Sequence, residues 1–321
     1  MMQVSHVSLK VYPQDPRVCD PVPVTVPRDT FEPGRIRSAG LNLEAAPGTS
    51  DFARVNAHVM ARRTQDLLEG YLGRSIPWAF GDRPLELKAD HHPGRNAYYD
   101  RQLSLVSLQY FQMVPWDTTV RLANSADLTA HETAHAVLDG LRPGYGQGDN
   151  ETLAFQEAFA DCTALLVSLS FRENRALAVF QTGGNLRHPN LLSRFGEELG
   201  AALCYYEDPE REHLRSLLNS FRYVDPTTLP MPVPGKDDGI LTSEPHSFSR
   251  VFSGAFYDVV EALYLHGIER EGLRPEEALR FAGETAGSLL MGAVDASPPD
   301  RGHFRDLAAG MMEADRRRND G

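Results

Sequence analysis

The strongest chemical signal in the chain is the segment His131-Glu132-Thr133-Ala134-His135, in which two histidines lie four residues apart. A helix turns once in about 3.6 residues, so these histidines lie on one face, one turn above the other. Two neutral imidazoles on that face can bind one zinc ion at about 2.0–2.1 Å without bending the backbone. Glu132, one step around the helix, can reach a water molecule at the metal rather than the metal itself.

A catalytic zinc site needs a third protein ligand and leaves its fourth position to water. Glu157 follows His135 at a separation that allows a helix end, a turn through Pro143-Gly144 and a second helix. Asp161, four residues after Glu157, lies on the same face of that second helix. We expect its carboxylate to accept the other ring N–H of a zinc-binding histidine, which holds the ring in position and raises its basicity.

A simpler interpretation is a solvated or salt-bridged pair of helices with no metal. An H-E-x-x-H segment can arise by chance in a chain with 11 histidines, so the motif alone is moderate evidence. The second helix, residues 153–169, is otherwise apolar, and an unpaired carboxylate buried there would cost several kcal/mol. The two helices together therefore favour a metal site.

The elements that must position this site follow from the spacing of apolar and turn-forming residues. Residues 1–50 are rich in proline and read as an extended arm, with an edge strand at 22–26. Apolar residues at helical spacing predict one long helix over 51–72. Strands at 85–88 and 103–111, joined across a turn at His92-Pro93-Gly94, predict a small sheet beside it.

After Pro115 the pattern is mainly helical. We therefore expect an α+β protein of two lobes. An amino-terminal α/β lobe over residues 51–140 ends in the zinc-binding helix, and a mainly helical lobe follows over 141–321. Sites of this kind occupy the cleft at such a junction.

Two further segments extend the pattern beyond the histidine motif. Asn96-Ala97-Tyr98-Tyr99 resembles the Asn-Ala-aromatic-aromatic edge segment of the thermolysin-like neutral zinc metallopeptidases, the gluzincin type. The segment 243–249, followed by 253–257, is similar to the one that carries the transition-state histidine of that family. The resemblance runs from about residue 51 to about residue 265 in the same order.

The resemblance implies roles for individual residues. It makes His131, His135 and Glu157 the zinc ligands and Glu132 the general base. It implies that Asn96 and the backbone of Ala97 bind the substrate main chain as an added strand. It also implies that His246 donates to the oxyanion, and it makes Tyr145 the candidate for the catalytic tyrosine that the family carries on the loop between the two zinc helices.

The resemblance leaves some assignments open. The acidic partner of the transition-state histidine could be Asp237, Asp238 or Glu244, and the arginine that binds a substrate carbonyl could be Arg187, Arg215 or Arg222. The acidic calcium-binding segments of the family are missing, since residues 103–111 contain no Asp or Glu. The sequence therefore argues against calcium as a stabilising ion.

Composition narrows the possible partners. With 32 basic and 44 acidic residues the formal net charge is −12, which repels phosphate backbones and anionic lipid, so neither nucleic acid nor a membrane is an expected partner. No apolar run approaches the ~20 residues that cross a bilayer. Three scattered cysteines and the absence of a signal-peptide pattern at the start favour the cytoplasm, with leaderless export also open. The oligomeric state stays open.

The main hypothesis is a zinc endopeptidase that hydrolyses peptide bonds with metal-activated water. An aminopeptidase of the same zinc class is one alternative, although it needs an acidic group that binds the substrate amine. A binding protein that uses zinc only for stability is another. The presence of Glu132 argues against it, because a closed structural site has no use for that carboxylate.

Overall fold

A computed structural model describes residues 5–32, 34–205, 210–231 and 239–318. The strands are β1 (His6–Val11), β2 (Val22–Pro27), β3 (Ile36–Arg37), β4 (Leu85–Pro93), β5 (Ala97–Asp100), β6 (Leu105–Met113), β7 (Thr118–Arg121), β8 (Arg194–Phe195) and β9 (Arg215–Ser216). The helices are α1 (Ser50–Leu72), α2 (Ala126–Leu141), α3 (Asn150–Ser170), α4 (Arg172–Thr182), α5 (Glu197–Cys204), α6 (Pro245–Glu269), α7 (Pro275–Ala296) and α8 (Phe304–Arg318). The predicted mixed α+β class is confirmed.

The central sheet has five strands in the order β3-β4-β6-β5, with β7 also paired to β6. Here the structure corrects the sequence prediction of two strands joined by a turn at His92-Pro93-Gly94. Strand β4 continues to Pro93 and pairs in parallel with β6, and β5 lies between them in sequence and pairs antiparallel with β6. Within the described residues, β5 therefore lies at the edge of the sheet.

The long helix predicted over residues 51–72 is confirmed as α1. Its start is capped by Thr49, whose side chain accepts a hydrogen bond from the backbone N–H of Phe52. Its end is the left-handed Gly73, at φ 74°. Helix α1 packs against β4 and α2, and its buried face contributes Val55, Val59 and other apolar side chains to the core.

Helices α2 and α3 form the centre of the structure and pack on each other. Ser125 caps α2 and Asp149 caps α3, each accepting a hydrogen bond from the backbone N–H three residues further on. Near its end α2 passes so close to the chain at Pro77 that a Cβ at position 140 would collide with the Pro77 carbonyl oxygen. Only glycine fits at Gly140, which holds this end of α2 against the loop before β4.

The carboxyl-terminal helices pack in successive layers on the α2–α3 pair. Helix α6 packs on α3, α7 packs on α6 and α1, and α8 packs on α7. An aromatic cluster joins these layers; its rings are those of Phe155, Phe248, Phe252 and Phe304. The predicted edge strand at 22–26 is also confirmed and pairs antiparallel with β1.

By length and composition alone, α3 could cross a membrane. However, 83% of its most apolar window is buried inside the protein, and the helix carries Glu157 and Asp161. The apolar character of α3 is accounted for by its central place in the core.

Candidate metal centre

Helix α2 places the two histidines of the motif on one face. The Nε2 atoms of His131 and His135 lie 3.1 Å apart, and the two rings meet edge to face with centroids 4.7 Å apart. The His131 side chain is 5% exposed and that of His135 is 15% exposed. Burial lowers the pKa of His135 to about 4, so this imidazole is neutral at pH 7, as a metal ligand must be.

Helix α3 brings Glu157 to the same point. Its Oε2 lies 3.3 Å from Nε2 of His131, and its Oε1 lies 3.6 Å from Nε2 of His135. Among the described residues, this buried Oε2 has no hydrogen-bond partner of good geometry. Burial alone would raise the pKa of Glu157, but the two histidines hold it well below its usual range, so the carboxylate is ionised.

These three side chains could hold a metal ion, and their nitrogen and oxygen donors are types that zinc binds. One nitrogen or oxygen from each of His131, His135 and Glu157 lies within 4.8 Å of the others. Tetrahedral zinc with ligands at about 2.0–2.1 Å requires ligand atoms about 3.3–3.4 Å apart. The two ring nitrogens are 3.1 Å apart, and each lies 3.3 or 3.6 Å from a different oxygen of the Glu157 carboxylate. A buried carboxylate oxygen without a hydrogen-bond partner and two facing ring nitrogens are the donor set that such an ion satisfies.

Asp161 supports His131 from behind. Its Oδ1 lies 3.0 Å from Nδ1 of His131, and its two oxygens accept hydrogen bonds of 2.8 and 2.7 Å from Arg215. Burial would raise the pKa of Asp161, but the Arg215 charge and the contact with His131 hold it at about 2. Burial would likewise lower the pKa of His131, but Asp161 and Glu157 raise it to about 10; a metal at Nε2 would displace that proton.

Glu132 lies beside the three candidate ligands and lines the same cleft. It is 8% exposed, and burial raises the pKa of its carboxyl to about 7, with the neighbouring Glu157 charge acting in the same direction and His131 opposing it. A carboxyl with a pKa near 7 can both accept and return a proton at neutral pH.

His246, at the start of α6, also lies close to Glu157. Its Nε2 lies 3.2 Å from Oε2 of Glu157, and its Nδ1 lies 2.5 Å from Oε1 of Glu244. The other oxygen of Glu244 caps α6 by accepting the backbone N–H of Ser247. Glu244 is therefore the partner of His246; the other two candidates, Asp237 and Asp238, lie outside the described residues. Burial alone would lower the pKa of His246, but the hydrogen bond to Glu244 raises it above its usual value.

The arginine alternatives are also separated by the structure. Arg215 lies behind the candidate ligands, on Asp161, and its guanidinium stacks over Phe195 at 4.6 Å. Arg187 instead pairs with Asp258 and Glu261 on α6. Of these two, only Arg215 touches a residue of the candidate centre.

The candidate ligands form the floor of an open cleft with a cavity volume of about 660 Å³. Its walls come from β5, from the turn after α2 and from the start of α6, and its described lining residues are Asn96, Ala97, Tyr98, Tyr99, Arg101, His131, Glu132, His135, Asp139, Gly146, Gln147, Leu153, Gln156, Glu157, Pro245 and His246. The predicted substrate-binding residues Asn96 and Ala97 are among them. The sheet edge and the candidate metal ligands therefore share one cleft.

Tyr145 is the exception among the predicted site residues. Its side chain is buried, its hydroxyl lies 2.7 Å from Oγ of Ser297, and its ring packs against Phe155. It is not among the described lining residues, although the adjacent Gly146 and Gln147 are. The structure does not bring Tyr145 to the cleft, because the turn between α2 and α3 directs this ring into the core.

Sequence reasoning missed a second group of buried side chains, Asp15, Asp127 and Glu197. One oxygen from each lies within 4.8 Å of the others, an all-oxygen arrangement that could hold a hard cation. Both oxygens of Glu197 lack a hydrogen-bond partner in the described structure. The sequence feature that could have indicated this group is Asp127, which precedes His131 by one helical turn. Asp15, in the arm, belongs to no motif that would have indicated it.

Sequence reasoning also missed Asp139, one turn after His135. No protein-family model matches the chain, and no curated protein matches it.

Proposed function

We propose that this protein is a zinc-dependent endopeptidase with a two-lobed, thermolysin-like architecture. The observation that carries the proposal is the convergence of His131, His135 and Glu157 on the floor of a cleft that also holds Glu132 and the edge strand β5. A general base beside an open metal site is typical of hydrolysis by activated water. The adjacent sheet edge favours an extended peptide as the substrate.

The peptide binds by pairing its main chain with β5, where Asn96 and the backbone of Ala97 offer hydrogen bonds. A zinc ion held by His131, His135 and Glu157 would supply a Lewis acid able to polarise the scissile carbonyl and to make a water molecule more acidic. Glu132 accepts the proton of that water as its oxygen attacks the carbonyl carbon. Glu132 then gives the proton to the departing amine as the C–N bond breaks.

His246 stabilises the negative charge that develops on the carbonyl oxygen. Its Nδ1 is held by Glu244, so Nε2 can present an N–H toward the reacting carbonyl. Because Glu244 also caps α6, the orientation of this ring is tied to the start of that helix. Removing one such donor typically lowers turnover by about 10²–10³-fold.

The direct test is Glu132→Gln. We expect the variant to bind one zinc ion per chain and to lose peptide hydrolysis by about 10²–10⁴-fold, since the amide cannot accept the proton. Glu212→Gln, which changes a carboxylate paired with Arg194 outside the cleft, is the matched control and is expected to cleave at the wild-type rate. Cleavage by Glu132→Gln at the rate of that control would reject Glu132 as the base.

The aminopeptidase alternative needs a carboxylate that is free to bind the substrate amine. Apart from Glu132 and Glu157, Asp139 is the only carboxylate among the described lining residues, and Arg101 and Tyr99 already bind it. This arrangement favours the endopeptidase. Hydrolysis of amino-blocked peptides at rates like those of free peptides is the expected result, and cleavage of free peptides alone would support the aminopeptidase.

A zinc-stabilised binding protein is the remaining alternative. It predicts stoichiometric zinc together with no hydrolysis of any peptide in a diverse library. Mass-spectrometric mapping of cleavage sites in such a library, with and without chelator, distinguishes the two cases and defines the sequence preference.

The cytoplasmic location expected from the sequence stays a prediction.

A further inference from the structure

The last turn of α2 carries a buried carboxylate that the reaction does not use. Asp139 lies one turn after His135 and is 8% exposed. Its Oδ2 accepts hydrogen bonds of 2.7 Å from the Tyr99 hydroxyl and 2.6 Å from Nε of Arg101, and its Oδ1 accepts a further bond from Nη2 of Arg101. The paired, charge-assisted bonds to arginine hold both groups in one relative orientation.

The same arginine reaches a third element. Nη2 of Arg101 also donates a 2.7 Å hydrogen bond to the carbonyl oxygen of Pro143, in the turn that follows α2. Tyr99 belongs to β5 and Arg101 follows its last residue. Asp139 therefore ties the edge strand to the metal-binding helix, and Arg101 ties the strand to the wall of the cleft.

The Tyr99 hydroxyl stays protonated and so remains a hydrogen-bond donor to Asp139. Burial, together with the hydrogen bond to the Asp139 carboxylate, raises the pKa of Tyr99, so its hydroxyl keeps its proton. The hydrogen bonds to Asp139 likewise raise the pKa of the Arg101 guanidinium. The Tyr99 hydroxyl and the Arg101 guanidinium therefore both keep the protons that they donate to Asp139.

The relative position of β5 and α2 matters because, in the proposed reaction, one element binds the substrate and the other carries the catalytic groups. Strand β5 holds the peptide main chain, while α2 holds Glu132 and two of the three candidate ligands. The distance between the scissile carbonyl and those groups depends on the distance between strand and helix. A misplacement of about 1 Å can lower the rate by 10²-fold.

We propose that Asp139 is a positioning residue for peptide hydrolysis: through Tyr99 and Arg101 it sets the position of the edge strand relative to the metal-binding helix. The inference rests on the proposed function. Asp139 acts through the strand, since its described hydrogen bonds go to Tyr99 and Arg101 and not to the candidate metal ligands. The proposal predicts that the hydrolysis of long peptides, which pair along β5, depends on Asp139. The hydrolysis of short peptides that span only the scissile bond does not.

The test compares Asp139→Asn and Tyr99→Phe with Asp90→Asn. Asp90 is a buried carboxylate that pairs with Arg121 between β4 and β7, and neither residue is among the described lining of the cleft. Asp90→Asn therefore removes a similar buried charge from the same lobe without touching β5. Each protein is assayed for zinc content, for kcat and KM on a long and a short peptide, and for hydrogen exchange of the β5 amides.

We expect Asp139→Asn to keep its zinc, to expose the β5 amides to faster exchange, and to lower kcat/KM for the long peptide by about 10–100-fold. The effect on the short peptide should be several-fold smaller, and Tyr99→Phe should fall between Asp139→Asn and the control. Asp90→Asn should show neither the peptide-length dependence nor faster exchange in β5.

The outcomes separate the two proposals. A zinc-loaded wild-type protein that cleaves no peptide rejects the proposed function. An active wild-type protein whose Asp139→Asn variant matches Asp90→Asn on both peptides, with β5 exchange unchanged, rejects the positioning role alone. Equal losses on the long and short peptides also reject it, because a general loss of folded protein would produce that result.

Discussion

Helix α2 carries two clusters of buried ionisable side chains one turn apart, and they differ in how their charge is balanced. His131 and His135 meet Glu157, and behind them Asp161 is bound by Arg215. One turn earlier, Asp127 lies close to Asp15 and Glu197. The hydrogen bonds to Asp15 and Asp127 come from the Ser125 hydroxyl and from backbone N–H groups, including that of Arg17, rather than from a guanidinium such as that of Arg215. Both clusters are buried, so burial alone does not decide the state of a carboxylate.

The pKa values record this difference. The pKa of Asp161 is held at about 2 because the Arg215 charge outweighs burial. The pKa values of Asp15 and Glu197 lie well above their usual range, because burial and the neighbouring acids act in the same direction. The first cluster is therefore prepared to hold a positive ion at neutral pH, whereas the second is stable mainly when its carboxyls are protonated or balanced by a cation.

The largest predicted contrast concerns metal and activity. His135→Ala should lose bound zinc and peptide hydrolysis together, because two remaining ligands do not hold the ion in a catalytic site. Glu197→Ala should keep both, since Glu197 is not among the described lining of the cleft. Metal analysis of the purified variants and a peptide assay check this. Loss of zinc in Glu197→Ala but not in His135→Ala would reverse the assignment.

A smaller effect is expected from the residue behind His131. Asp161→Asn should weaken zinc binding by about 10–100-fold, as is typical when a carboxylate that orients a ligating histidine is removed. The protein should still bind zinc at high concentration and recover activity there. Competition with a chelator measures the affinity, and an unchanged affinity would show that Asp161 only anchors Arg215.

The acidic cluster should appear in the pH dependence of stability. Because the folded-state pKa values of Asp15, Asp127 and Glu197 are raised, the folded protein binds more protons than the unfolded chain above about pH 4. These three groups therefore contribute fully to the free energy of unfolding below about pH 4. That contribution is lost as the pH rises through their raised folded-state pKa values.

Glu197→Leu should consequently unfold less easily than the wild type at pH 7 in the presence of chelator, by about 1–4 kcal/mol. The advantage should shrink as the pH falls toward 4. Denaturant unfolding between pH 4 and 8 measures it. A variant that is less stable than the wild type at pH 7 would show that the carboxylate is balanced within the folded protein.

The smallest effect is expected at Tyr145. Tyr145→Phe removes the hydroxyl that meets Ser297 and should cost about 0.5–1.5 kcal/mol of stability. It should leave kcat within about twofold of the wild type, because the ring lies in the core. Thermal unfolding and peptide kinetics check both parts. A loss of kcat by 10²-fold or more, of the size expected for an oxyanion donor, would return Tyr145 to the mechanism.

Local periodicity was enough to find the features that depend on one helix. The four-residue spacing of His131 and His135 and the apolar pattern of α1 each follow from helical geometry, and the structure contains both arrangements. The parallel pairing of β4 with β6 was not predictable in this way, because Pro93-Gly94 resembles a hairpin turn and the pairing depends on the insertion of β5.

Contacts between distant segments were the least accessible from sequence. Asp15 reaches Asp127 across more than a hundred residues, and the arm carries no motif that announces this. Asp139 was visible as one more acid on the histidine face of α2, but its partners Tyr99 and Arg101 are brought to it only by the sheet. The burial of the Tyr145 ring was not predictable from sequence, because its place between two helices does not determine which way a short turn directs the ring.

A crystal structure of the zinc-loaded protein, with anomalous differences measured on both sides of the zinc absorption edge, tests the central claim most directly. We predict one strong zinc peak at about 2.0–2.1 Å from Nε2 of His131, Nε2 of His135 and a carboxylate oxygen of Glu157. A zinc peak elsewhere, or none at these three residues in a protein that hydrolyses peptides, would contradict the account.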